Sequence, residues 1–291
     1  MAATAGQWVA GARVRTLPNS IAPVVVGAGA AGAIGELNWW ASLLALVVAL
    51  ALQVGVNYAN DYSDGIRGTD SDRVGPMRLV GSGVASASAV RLAAFLCFGV
   101  AGVAGLVLVA LTGHWWLISI GVLSVAAAWF YTGGPKPYGY SGWGEVAVFA
   151  FFGPVAVLGT LYVQTGQLTW LGVAGAVALG SISASVLVAN NLRDLPTDRA
   201  AGKLTLAVKL GDRGTRVLYF VLVAVPFVVT AVTAVSYPWL LLGLLAAVLV
   251  VPATRTVARG RDGLALIPVL RDTSLAMLAW ALLTGAALGL G

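Results

Sequence analysis

The residues best equipped for chemistry lie in two clusters. In "NYANDYSDGIRGTD", residues 57–70, Asn60, Asp61 and Asp64 stand at i, i+1 and i+4, with Asn57 one turn earlier and Asp70 beyond a turn region at 65–68. In "NNLRDLPTDRAAGK", residues 190–203, Asn190, Asp194 and Asp198 stand at i, i+4 and i+8, with Asn191 beside the first. If each cluster sits on a helix, Asn60 and Asp64 stack on one face, as do Asn190 and Asp194, with Asp198 following where Pro196 lets the turn continue. Carboxylates gathered this way repel, and some must take up protons unless a cation joins them. Hard oxygen donors with room for water suit Mg²⁺, which typically binds through one or two carboxylates plus substrate phosphates. Arg67, Arg78, Arg193, Arg199 and Lys203 lie close in sequence to the same acids. A site that offers metal ligands and basic side chains together is complementary to a polyanion such as diphosphate. A single Asp or Arg at a helix end is ordinarily a solvated residue, and for Asp70, Asp72 and Asp212 that reading stands beside the functional one.

The elements that must position these clusters are membrane spans. Hydrophobic residues make up 59% of the 291 and charged ones only 10%, whereas a soluble domain is about a quarter charged. Windows of about twenty residues give an all-α bundle of nine spans, near 20–35, 40–60, 90–111, 115–131, 143–163, 170–190, 216–235, 239–254 and 272–291. With those spans all 17 Lys and Arg fall on alternate connections. The positive-inside rule then puts the N-terminus in the cytoplasm and the C-terminus outside. The formal charge of +6 follows from that topology and from affinity for anions, so nucleic acid is not an expected partner; the lipid bilayer is. Residues 1–20 read as an amphipathic lead-in at the membrane surface. Cys97 lies inside an apolar span as a small hydrophobe, and His114 has no ligand partners near it in sequence.

Both clusters sit on the cytoplasmic side, in the two longest connections, and long loops without structure of their own usually work. Each places Asn-x-x-x-Asp at the end of a span, four spans apart. The spans before them echo as well, "APVVVG" at 22–27 and "GPVAVLG" at 153–159. These matches point to one domain, 1–291, built by a parallel duplication with half-repeats near 18–135 and 143–254 and a ninth helix at 272–291.

"NDYSD" and "RDLPTD" resemble the paired aspartate motifs of the UbiA superfamily of intramembrane prenyltransferases. Within it, "RVRTLPNSIAPVVVG", "YTGGPKPYGYSGWGE", "FFGPVAVLGTLYVQ" and "NNLRDLPTDRAAGKLTLAVKLG" look most like the branch that prenylates 1,4-dihydroxy-2-naphthoate in menaquinone biosynthesis. The likeness covers roughly 13–211. Two positions depart from the pattern. The last Asp of the first motif is replaced by Gly68, with Asp70 two residues on, and a Y-x-x-x-K pattern is replaced by Tyr131 and Lys136, one residue further apart. The resemblance implies a bacterial plasma-membrane enzyme with its site facing the cytoplasm. Mg²⁺ held by Asp61, Asp64, Asp194 and Asp198, assisted by Asn60 and Asn190 and with Asn57, Asp70 and Asn191 as further candidates, would neutralise the diphosphate of a polyprenyl diphosphate. The basic residues named above would share that charge. Tyr131 would face the allylic cation, and Lys136 or Arg78 the carboxylate of the naphthoate, which would be lost as CO₂.

Other readings remain open at this level. A sibling enzyme acting on 4-hydroxybenzoate or a chlorin is the nearest. A cation or proton transporter would also use helix-end carboxylates, although no span carries an ionisable residue near its centre. "DYSDG" also opens like the motif of CDP-alcohol phosphotransferases, whose further Asp residues would follow in the same stretch rather than over a hundred residues later.

Overall fold

The structure, a computed structural model, describes residues 3–68 and 77–289, and every regular element among them is helical. A short helix α1, Ala5–Ala12, starts from a reciprocal cap: the Thr4 hydroxyl accepts from the Gln7 amide, and the Gln7 side chain accepts from the Thr4 amide. It ends at Arg13, whose φ of 54° lies in the left-handed region, uncommon for a residue with a long side chain. One 3₁₀ turn, Val14–Thr16, then leads into α2, Pro18–Gly32. Long helices follow: α3, Trp39–Arg67, which stops at Gly68 in the left-handed conformation that glycine adopts without strain, and α4, Ala87–Thr112. α5, Leu117–Phe130, is shorter.

The second half begins with α6, Gly144–Ala150, which widens into a π-helical stretch, Phe151–Leu158, and continues as α7, Gly159–Thr165. Pro154 accounts for the widening, because it has no N–H to give and its ring crowds the carbonyl one turn back. Next come α8, Trp170–Ala200, and α9, Leu206–Thr233. A 3₁₀ stretch, Pro238–Ala246, runs into α10, Ala247–Ala258, and another, Gly263–Leu266, into α11, Ile267–Leu288.

Seven of these helical stretches are long and apolar enough to cross a bilayer: α3, α4, α6 with α7, α8, α9, Pro238–Ala258 and Gly263–Leu288. The molecule is therefore an integral membrane protein. The other two segments expected as spans are the shorter helices α2 and α5. α8 is the axis of the bundle: 72% of its most apolar window is buried, against 22–44% for the other six stretches. Its small residues permit this, since a Cβ at Gly180 would lie 2.7 Å from the Phe149 carbonyl oxygen and one at Gly175 would lie 2.6 Å from the Val26 side chain. Both α3 and α8 run past the apolar stretch as unbroken helix, so each acidic cluster sits on a helical last turn rather than in a loop.

Candidate active site

The ends of α3 and α8 meet at one cavity of about 1430 Å³, walled by α2 to α8 and mostly apolar along its length. Asp64 from α3 and Asn190, Asp194 and Asp198 from α8 line its polar end, with Arg78 and Lys203. The two clusters, more than a hundred residues apart in sequence, thus face the same space.

Helical periodicity selects which side chains reach it. Asn60 and Asp64, one turn apart, both face the cavity. Asn60 accepts from the Thr132 hydroxyl at 2.8 Å. Asp64 accepts a short hydrogen bond from the Tyr140 hydroxyl and lies 3.6 Å from the Arg78 guanidinium. On α8, Asp194 is gripped by the buried guanidinium of Arg193, whose Nε and Nη2 donate to its two oxygens at 2.7 and 2.6 Å. The same Nη2 reaches Asn190 Oδ1 at 3.0 Å, and Asn190 Nδ2 donates to Asp194 at 3.3 Å. Asp198 lies 3.9 Å from the Lys203 ammonium, which stands over the Tyr140 ring at 4.4 Å from its centroid. Tyr140 therefore links the two clusters: its hydroxyl serves Asp64, its ring serves Lys203, and its carbonyl accepts from the Leu204 amide at 2.8 Å.

Several expected site residues are placed elsewhere. Asp61 is fully buried and absent from the cavity wall; its oxygens accept from the Leu79 and Val80 amides at 2.8 and 2.9 Å. It lies about 100° round the helix from Asn60, and it anchors the loop that carries Arg78. Arg67 is exposed and donates to the Thr132 and Gly134 carbonyls. Arg193 is a brace for Asp194 and does not line the cavity, and Arg199 and Lys136 are exposed and outside it. Asn57 lines the cavity but gives its amide to Ala12 O and Thr16 Oγ1, both at 2.9 Å, tying the N-terminal segment to α3. Asn191 is also on the wall, with its amide held by Glu145 at 2.8 Å. Asp70 lies outside the described residues.

Tyr131 is on the wall, edge-on to Tyr138 at 5.4 Å. Tyr138 donates to the Ala127 carbonyl at 2.8 Å, and burial pushes its phenol up to about 12, so it stays neutral in the physiological range. Arg13 and Arg15, counted from the sequence only as basic residues before the first span, also line the cavity. The left-handed turn at Arg13 brings that segment against it, and nothing in the sequence announces such a turn at an arginine.

A cavity with acids and bases at one end and apolar walls beyond is the arrangement of an enzyme that takes an amphiphilic polyanion. Comparison with known proteins fixes the family. The model of the UbiA prenyltransferase family matches residues 20–265. The chain belongs to the UbiA prenyltransferase family. Among curated relatives, the 1,4-dihydroxy-2-naphthoate octaprenyltransferase of Mycobacterium tuberculosis is 59% identical over 99% of this chain and 99% of its own. The enzyme of the same name from Escherichia coli is 37% identical, covering 91% and 89%. Among solved structures, the apo UbiA homolog from Aeropyrum pernix superposes with a TM-score of 0.70 at 15% identity, covering 92% and 96%. The UbiA homolog from Archaeoglobus fulgidus bound to GPP and Mg²⁺ gives 0.68 at 14% identity, covering 98% and 99%. At those identities the two structures show that the UbiA fold is shared.

The donors on this chain suit the ion held in that archaeal structure. Among the described residues no three His, Cys, Asp or Glu side chains gather closely enough to hold a metal unaided. The polar end instead presents carboxylates from two helices with amide oxygens beside them. An oxygen donor set of this kind suits Mg²⁺, which typically binds through one or two carboxylates together with water and phosphate oxygens.

Proposed function

We propose that this UbiA-family protein moves a polyprenyl group from polyprenyl diphosphate to 1,4-dihydroxy-2-naphthoate, releasing diphosphate and CO₂ and leaving the quinol form of demethylmenaquinone. The observation that carries this reading is the convergence of Asp64, Asp194 and Asp198 on one apolar cavity together with Arg78 and Lys203. Full-length identity to naphthoate octaprenyltransferases supports the choice of acceptor and of a long donor.

Asp64, Asp194 and Asp198, with Asn60 and Asn190 beside them, would hold Mg²⁺, which would supply positive charge against the diphosphate. Arg78 and Lys203 donate to the same oxygens, and because both are already held by protein carboxylates, little reorganisation is needed as charge develops on the leaving group. Tyr131, Tyr140 and Trp129 line the cavity and offer π electrons where the allylic carbon becomes positive. The apolar walls exclude the water that would quench it. Arg13 and Arg15, which also line the cavity, would pair with the acceptor's carboxylate, the role that the resemblance implies for Lys136 or Arg78. The isoprenoid tail extends down the apolar length of the cavity.

The finer architecture belongs to the same proposal. Nine spans, α2 and α5 included, put the basic connections on one side, and the positive-inside rule makes that side, with the site, cytoplasmic. The duplication finds support in packing: the α2 segment around Pro23 lies against the stretch around Pro154, where a Cβ on Gly27 would come 2.5 Å from the Val157 carbonyl oxygen.

The test offers membranes containing the protein a polyprenyl diphosphate with either dihydroxynaphthoate or hydroxybenzoate, weighs the product and collects CO₂. Prenylated naphthol with CO₂ supports the reading, whereas prenylated hydroxybenzoate without CO₂ replaces it with the sibling activity. Chelation of Mg²⁺ is expected to stop either product, and a rate indifferent to chelator rejects the metal's part.

A further inference from the structure

α6 opens with a buried acid that the mechanism above does not use. Glu145 is 5% exposed. Its Oε1 accepts from Asn191 Nδ2 at 2.8 Å, while its Oε2 is buried and has no hydrogen-bond partner among the described residues. A carboxyl group left half-satisfied in a low-dielectric interior costs stability, so packing alone does not account for it.

What the contact does is fix a neighbour. A carboxylate only accepts, so Asn191 turns its NH₂ toward α6 and its carbonyl the other way. Asn191 lies on the cavity wall, and its Oδ1 accepts no hydrogen bond among the described residues. Asn190, Arg193 and Asp194 are bound to one another on the diphosphate side. Asn191 sits about 100° further round α8, toward the aromatic wall. There the Tyr131 hydroxyl lies 3.1 Å from where a Cβ on Gly144, the residue before Glu145, would stand. The open carbonyl thus falls between the charged pole and the aromatic wall.

We propose that Glu145 is a positioning residue that locks the Asn191 amide, so that its carbonyl oxygen accepts a hydrogen bond from a ring hydroxyl of the aromatic acceptor. This rests on the reading that the cavity takes a hydroxylated aromatic acid. The accepted hydrogen bond orients the ring toward the allylic carbon and raises the electron density with which the ring attacks. No proton changes owner in the ground state. Glutamine at 145 still offers an oxygen to Asn191, whereas leucine leaves the amide free to turn its NH₂ into the cavity, where it would oppose the hydroxyl.

The experiment measures equilibrium binding of dihydroxynaphthoate to the purified protein, and separately of an unreactive polyprenyl thiodiphosphate with Mg²⁺, for wild type, Glu145→Leu, Glu145→Gln and Asn191→Ala. Glu145→Leu and Asn191→Ala are each expected to weaken naphthoate binding about tenfold, the scale of one hydrogen bond, with no further loss when combined. Glu145→Gln stays within about twofold of wild type on the same scale, and donor-analogue binding is unchanged throughout. Unaltered naphthoate binding in Asn191→Ala overturns the proposal, as does equal loss of both ligands without rescue by glutamine. Should Glu145→Leu fail to fold, Asn191→Ala and Glu145→Gln decide alone. A wild type that binds hydroxybenzoate in place of naphthoate removes the acceptor assignment, and the same ratios read with hydroxybenzoate still decide the hydrogen bond.

Discussion

The two acidic clusters carry the same Asn-x-x-x-Asp spacing but are supported differently. On α8 the support is local: Arg193 holds the adjacent Asp194, and Lys203 follows Asp198 by five residues. On α3 it is remote, since Asp64 meets Arg78 and, 76 residues on, Tyr140. The Arg193 brace on Asp194 forms within α8 itself, whereas the contacts of Asp64 with Arg78 and Tyr140 need segments brought in from elsewhere in the chain. A repeated motif can therefore preserve ligand geometry while its scaffolding diverges.

The widest expected gap lies within α3. Asp64→Asn should leave folded protein with turnover down by at least about 10³, in the upper range for loss of an electrostatic contact at the reacting charge, and Asp194→Asn should behave alike on α8. Asp61→Asn should instead lower the thermal midpoint and yield of folded protein, with activity per folded molecule largely kept. Activity loss in Asp61→Asn equal to that in Asp64→Asn, at unchanged stability, would return Asp61 to the ligand set.

Removing the local brace comes next. Arg193→Ala takes the guanidinium from a buried Asp194, and breaking a buried pair this way costs about 3 kcal/mol, read from thermal or denaturant unfolding in detergent. The remote brace is weaker: Tyr140→Phe keeps the ring under Lys203 and removes only the hydroxyl on Asp64, for a loss of about tenfold in kcat. A larger effect on stability from Tyr140→Phe than from Arg193→Ala would invert the contrast between the halves. The smallest change is expected at Lys136, where alanine should leave the KM values for both substrates where they were.

Much of this was legible in the sequence, for identifiable reasons. Long uncharged runs fixed the helices, because a bilayer allows little else. Asn60, Asp64, Asn190 and Asp194 could be picked by helical spacing, whereas Asp61, which the resemblance counts among the ligands, lies about 100° off their face. Arg67 and Arg199 illustrate the opposite case, since proximity in sequence to an acid does not say whether a long side chain turns inward or spends itself on carbonyls. Lys136 sits in a loop, where no periodicity constrains direction. Arg13 and Arg15 depended on a backbone turn that arginine rarely makes, and the part played by Tyr140 arises only when residues from three segments are brought together.

The unequal burial of α3 and α8 has a consequence for the enzyme in its native setting. α8 is mostly enclosed by its neighbours, while α3 is only partly so, one side lining the cavity and Trp39, Trp40 and Leu43 at its start lying exposed. A bilayer thinner or thicker than the protein's own hydrophobic belt is accommodated by tilting the less enclosed helix. Membrane thickness then acts on the separation of the two carboxylate groups and leaves the geometry within each one intact.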